Sequence, residues 1–191
     1  MAVLDSAAGE FKVHGFDRTS TSQLCEAAGV RRSSLYNAFI SKDELFVRAL
    51  ERHLAVLDAR RVEMLDDARL RGAERLRLLM DSVVGEEYAA REQGHAAGCL
   101  LVNGLMNPDL RERDKRVSLM LDREFDRVVG LMEEAVRVGR LDGSVRADVD
   151  PREGALLLAT LIHGIRVTSQ TKVSSESLRQ IALNGLQSIL A

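Results

Sequence analysis

The chain has 191 residues, of which 46% are apolar, 29% charged and 4% aromatic, with a formal net charge of −2, two prolines and no tryptophan. This length allows one domain, or a small one joined to a larger, and the near-neutral charge balance excludes a nucleic-acid role argued from bulk charge, so any such role must be local. Two cysteines, Cys25 and Cys99, are too few for a disulfide scaffold. The stretch poorest in charge, Gly94 to Leu110, holds His95, Asn103, Asn107, Pro108 and three glycines, so no segment reads as a membrane span and the expected setting is the cytoplasm.

Apolar residues recur at spacings of three and four almost throughout, which predicts an all-α protein of about nine helices. Leu4, Ala7, Ala8 and Phe11 form the stripe of a first helix closed by His14-Gly15, with Phe16 folding back onto it. Ser20 and Gln23 have the spacing of a capping box, with Thr21 an alternative N-cap, ahead of a short second helix that stops at Gly29. Arg31 to Phe39 reads as a third short helix with Leu35 and Phe39 inward. Ser41 caps a fourth, whose acidic first turn suits the helix dipole and which runs on through Leu50, Leu54 and Leu57 until Gly72 offers a break. A fifth covers about Ala73 to Arg91, and the glycine-broken segment around Cys99 to Met106 is apolar enough to be buried. A long helix is predicted from Asn107-Pro108 to Gly139, carrying Val117, Leu121, Phe125, Val128, Met132 and Val136. Asp150-Pro151 opens another, apolar nearly all round, and a last helix follows Ser174.

Two short helices joined by Ala28-Gly29-Val30, with a glycine where a tight turn wants positive φ and small residues where helices must approach, spell a helix-turn-helix. Its third-helix surface offers Arg31, Arg32, Ser33, Ser34, Tyr36 and Asn37, with no acid until Asp43, a surface that phosphate tolerates. Gly15-Phe16-Asp17-Arg18-Thr19-Ser20-Thr21, Leu24-Cys25-Glu26-Ala27-Ala28-Gly29-Val30, Ser34-Leu35-Tyr36-Asn37-Ala38-Phe39 and Ser41-Lys42-Asp43-Glu44-Leu45-Phe46 together resemble the TetR family of transcriptional regulators. The likeness covers the first quarter of the chain in register. The remainder matches in length, helical pattern and the Gly98-Cys99-Leu100 segment found in some members.

The resemblance implies a helix-turn-helix DNA-binding domain over 1–46 and a larger ligand-sensing and dimerisation domain over 47–191. It implies a homodimer on a palindromic double-stranded operator, usually a repressor released by a small molecule. By the same resemblance Thr21 caps helix two and meets phosphate, Ser22 reaches a base or the backbone, and Arg32, Ser33 and Ser34 open the recognition helix toward base edges. Tyr36 is expected to donate to phosphate, Asn37 to make a base or backbone contact, and Lys42 to clamp phosphate at the start of helix four. Arg32 is the expected specificity residue, since its fork reads guanine O6 and N7 with two parallel bonds. Two departures from the family, Ala38 in place of a basic residue and a Met1-Ala2-Val3-Leu4 start in place of a basic arm, imply fewer phosphate contacts and a flatter salt dependence.

For the sensor, Met80, Val84, Tyr88, Asn103, Met106, Phe125 and His163 are the candidate lining of a mainly apolar cavity, each weighed against ordinary core packing, with His163 open between core and ligand contact. Leu157, Leu161, Ile165, Leu178, Ile181 and Leu186 are expected at the dimer seam of the last two helices. Two DNA-bound recognition helices should lie roughly 34 to 36 Å apart, with helix four as the lever between sensor and DNA. Cys25 reads as core, while Arg91 and His95 near Cys99 keep redox sensing open there. Glu92 and His95 have the Glu-x-x-His spacing of di-iron bundles, but no second copy exists, so neither metal nor cofactor is expected. Two other readings compete: a helix-turn-helix that has lost DNA and engages a protein, and a helical enzyme. The latter lacks any catalytic constellation at motif spacing.

Overall fold

The computed structural model describes residues 2–92 and 99–191. Among the described residues there are ten helices: α1 (Ala2–Arg18), α2 (Thr21–Ala28), α3 (Arg32–Phe39), α4 (Lys42–Leu65), α5 (Gly72–Glu92), α6 (Leu100–Leu105), α7 (Pro108–Arg113), α8 (Lys115–Leu141), α9 (Pro151–Thr168) and α10 (Ser175–Gln187). No strand accompanies them, and the isolated bridge between Val145 and Leu190 is the sole β pairing among these residues. The protein is all-α, as the periodicity requires.

The chain forms two compact units: Met1–Leu57 with Gly98–Arg123, and Asp58–Ala97 with Glu124–Ala191. In the first, Phe11, Phe16 and Phe46 pack ring against ring, with centroids 5.0 to 6.0 Å apart, over a core that also takes Leu24, Leu35, Leu45 and Leu50. Cys99, Leu100, Leu101, Leu110, Val117 and Leu121 enter this same core, so the stretch from α6 to the start of α8 belongs with the helix-turn-helix. The second core joins Leu76, Met80 and Val83 of α5, Met132 and Val136 of α8, Leu158 and Ile165 of α9, and Leu186 of α10.

Side-chain caps set most helix starts. Ser20 and Gln23 form the predicted capping box, Ser41 accepts from the Glu44 amide, Asn107 from Leu110, Asp150 from Arg152 and Glu153, and Ser174 from Ser177. The first helical stretch breaks at Gly15 as expected, where φ is 74° and ψ 168°, and the chain resumes helical conformation beyond this kink to Arg18. Two predicted boundaries are corrected. The helix predicted from Pro108 to Gly139 is broken at Asp114, whose extended backbone ends α7 and whose carboxylate accepts from the Arg116 amide to start α8. The fourth helix ends at Leu65, ahead of the expected break at Gly72, which is the first residue of α5; a Cβ at 72 would lie 2.2 Å from the Gly139 amide nitrogen of α8, backbone that cannot swing aside.

Charges are also taken into the second unit. Arg61 pairs with Glu124, and the Arg166 guanidinium, with a side chain only 4% exposed, donates to Glu87 at 2.9 Å and to Glu86 at 2.7 Å. The Ser169 hydroxyl donates to the other Glu87 oxygen at 2.5 Å. A buried carboxylate is tolerable only with such partners.

Candidate nucleic-acid interface

The turn between α2 and α3 is built by Gly29, left-handed at φ 63° and ψ 30°, while the Val30 amide reaches back to the Cys25 carbonyl at 3.0 Å. That closure delivers Arg31 in extended conformation as the N-cap of α3. No side-chain hydrogen bond caps this end, which leaves its first amides without a side-chain partner beside Arg32, Ser33 and Ser34, all exposed. Leu35 is buried and fixes the rotation of α3, which leaves Asn37 on the exposed side and Tyr36 half-buried.

The Tyr36 phenolic oxygen lies 3.1 Å from the Thr21 hydroxyl, tying the recognition helix to the first turn of α2. This hydrogen bond, and then Arg32, holds the Tyr36 pKa below the usual phenol range. With Thr21 as donor, the phenolic hydrogen is left for an acceptor outside. The Arg32 guanidinium carbon sits 5.6 Å from the Tyr36 ring centroid, so the expected specificity residue is stacked on the expected phosphate donor. Ser22 is exposed next to Thr21 on α2.

A strained turn joins α3 to α4. Ile40 has φ 63° and ψ −47°, and the Ser41 amide donates to the Phe39 carbonyl at 2.5 Å, the geometry of the rare γ-turn in which a β-branched residue is unfavourable. Immediately after it, Lys42 places its ammonium 4.4 Å from the centroid of the Phe16 ring. Burial is the main reason its pKa lies below the usual lysine range, while Asp17 and Asp43 pull in the opposite sense. Thr21, Ser22, Arg32, Ser33, Ser34, Tyr36, Asn37 and Lys42 therefore all fall in one compact unit and within three consecutive helices. The sequence reading missed Arg113: its guanidinium carbon is 5.1 Å from the Phe16 ring, and it pairs with Asp17 and Asp43. Its distance along the chain leaves no local signal.

The expected sensor residues separate. Met80 and Val84 are buried in the second core, Tyr88 and Phe125 pack against it, and the half-buried His163 ring lies 6.0 Å from that of Phe125. Asn103 and Met106 belong to the first unit: the Asn103 amide donates to the Lys12 carbonyl at 3.2 Å, and Met106 is 77% exposed. Of the expected dimer residues, Leu157 and Ile181 are exposed and Leu161 is half-buried, whereas Ile165, Leu178 and Leu186 are buried within the single chain. Leu156 and Val167 are further exposed apolar residues of α9. Cys25 is half-buried against the first core and Cys99 is buried in it. His95 lies outside the described residues, as do Gly94 and Gly98. No cluster able to hold a metal is found among the described residues.

The fold and this interface define a helix-turn-helix regulator. The sequence model of bacterial regulatory proteins of the TetR family matches residues 3–49, and that of a tetracyclin repressor-like C-terminal domain matches residues 72–182. The chain belongs to the TetR family of transcriptional regulators. The HTH-type transcriptional repressor ComR of Escherichia coli K12 is 27% identical over 191 residues, covering 95% of this chain and 84% of ComR. A cysteine mutant of the TetR-family regulator CifR, solved with a 26-bp double-strand operator DNA, superposes with a TM-score of 0.82 at 30% identity, over 98% of this chain and 95% of that one. The reduced form of E. coli NemR gives a TM-score of 0.76 at 25% identity, over 100% and 95% of the two chains. No described helix is long and apolar enough to cross a membrane.

Proposed function

We propose that the protein is a repressor acting in the cytoplasm as a homodimer on a palindromic operator, released by a small, mainly apolar effector. The supporting observation is the acid-free surface from Ala27 to Lys42, where Thr21 and Tyr36 are already hydrogen-bonded and Arg32 stands at the start of an uncapped α3. The operator complex of CifR supports the same use of this surface. Arg32, Ser33 and Ser34 are assigned to base edges and Thr21, Ser22, Tyr36, Asn37 and Lys42 to phosphate or mixed contacts, with sequence discrimination resting on Arg32. Residues 1–46 carry the DNA contacts, and 47–191 carry sensing and dimerisation. No catalytic role is assigned to any residue.

The effector cavity is assigned to Met80, Val84, Tyr88, Phe125 and His163, an apolar set with two polar handles. The dimer seam is assigned to the exposed faces of α9 and α10 around Leu157, Leu161 and Ile181. Because α4 is a single helix from Lys42 to Leu65, a tilt of its later turns is carried to Lys42, and effector and operator then compete through the spacing of the two recognition helices. The test is fluorescence anisotropy with duplexes flanking the protein's own gene and with duplexes that it selects from a randomised pool, across a salt series. Nanomolar preference for a palindrome is expected, lost in the Leu157→Arg and Ile181→Arg double variant, which should run as a folded monomer. Equal weak binding to all duplexes refutes the regulator, and a dimeric double variant refutes the seam.

A further inference from the structure

Lys42 does not stand alone at the DNA-facing end of α4. Asp43 follows it in the chain and Asp17 follows Phe16, the ring against which the ammonium lies. Two carboxylates in this position attract the ammonium and repel an incoming phosphate, and both effects act within the screening length of about 8 Å at physiological salt. Arg113 meets both acids: Nη1 is 3.5 Å from Asp43 Oδ1 and Nη2 is 3.6 Å from Asp17 Oδ1. Its guanidinium shares the Phe16 ring with Lys42, and the other Asp17 oxygen accepts from the Asn107 amide at 3.2 Å. Next to it, Arg116 pairs with Glu44 at 3.0 Å and with Asp114 at 2.8 Å, so the neighbouring acids are also neutralised from α8.

We propose that Arg113 is a positioning residue for DNA binding: by neutralising Asp17 and Asp43 it keeps the Lys42 ammonium free for phosphate. Arg113 acts through Lys42 and need not touch DNA. It lies within the residues matched by the C-terminal-domain model, yet its contacts are with α1 and α4 of the DNA-binding unit. The phosphate grip of the helix-turn-helix thus depends on a charge supplied from residues 99–123. A shift of that segment which withdraws Arg113 exposes two acids beside Lys42 and weakens DNA binding without altering the recognition helix. This inference rests on the DNA-binding reading given above.

The experiment measures affinity for the duplex that the wild-type protein selects from a randomised pool, using Arg113→Gln, Arg113→Lys, the Asp17→Asn and Asp43→Asn double variant, and the triple variant with Arg113→Gln. With two exposed ion pairs per subunit and two subunits per operator, Arg113→Gln should weaken binding about ten-fold, and Arg113→Lys should stay within about two-fold. The Asp-to-Asn double variant should bind at least as tightly as wild type, and adding Arg113→Gln to it should change affinity less than about two-fold. The Arg113→Gln loss should shrink at high salt, with the melting temperature nearly unchanged. A ten-fold loss that persists in the Asp-to-Asn background overturns the proposal, because Arg113 would then act on DNA itself. Wild-type affinity in Arg113→Gln also overturns it while leaving the regulator intact. A wild-type protein that selects no duplex removes both.

Discussion

Arg166→Met tests the joint between α5 and α9. The guanidinium makes hydrogen bonds of 2.9 and 2.7 Å to Glu87 and Glu86, and the Arg166 and Glu87 side chains are only 4% and 1% exposed. Methionine keeps the length and apolar character of the stem but leaves the Glu87 carboxylate in the interior with the Ser169 hydroxyl as its described side-chain donor. Removing one partner of a buried ion pair costs about 3–5 kcal/mol, far above the value of an exposed pair, because the remaining charge stays desolvated. At about 2–4 °C per kcal/mol for a chain of this size, the melting temperature should fall by about 6–20 °C. Thermal unfolding followed by far-UV circular dichroism at fixed protein concentration measures this, concentration being held because dimerisation couples to stability. Adding Glu87→Gln removes the stranded charge and should recover at least half of the loss. A fall of less than about 2 °C, or no recovery in the double variant, refutes the view that the pair is buried and mutually dependent.

Arg32→Lys should keep overall DNA affinity within about ten-fold but relax preference at one base pair per half-site, by about 1–3 kcal/mol, read by competition among single-substituted operators; unchanged preference removes Arg32 as the reader. Ile40→Gly should raise the melting temperature by about 2–4 °C, since relief of a positive-φ turn on the order of 1–3 kcal/mol exceeds the chain-entropy cost of glycine and Ile40, 83% exposed, gives up little burial. A lowered melting temperature contradicts the strain. His163, whose pKa is depressed first by burial and then by Arg166 and Arg61, binds its proton more weakly folded than unfolded. Its full stability is therefore present above about pH 6.5 and is lost as pH falls toward the depressed folded value. His163→Gln should accordingly flatten the stability profile below about pH 6.5, and a parallel profile excludes the titration.

Local chemistry made the helix-turn-helix legible. Ser20 and Gln23 close a box within one turn, Gly29 answers to its own φ, and Leu35 and Phe39 share a face by their spacing of four, so each signal acts over a few residues. The break at Asp114 had a local signal too, an Asp able to cap the helix after it, but the apolar stripe from Val117 onward masked it. Gly72 marked the break ahead of α5 but not that α4 stops earlier, at Leu65, and the need for a glycine at 72 lies in Gly139 of another helix. Asn103 and Met106 share with Met80 and Val84 only a place on neighbouring helices in the chain, and packing assigns the first pair to a different unit. Ile165, Leu178 and Leu186 show the same limit, since periodicity marks a residue as covered without saying by which subunit.

The sequence alone thus determined what depends on neighbours a turn away: the helical periods, the caps, the turn glycine, the acid-free run from Ala27 to Lys42, and with them the family. Tertiary structure decided what depends on approach between distant segments. It brought Arg113 to Asp17 and Asp43, Arg166 to Glu86 and Glu87, and the α6-to-α8 stretch to the core beneath the DNA-reading helices. The physical reason is one of range. Backbone hydrogen bonds and caps are satisfied within a few residues, whereas ion pairs and close-packed surfaces are set by the geometry of the whole fold, which no local spacing records.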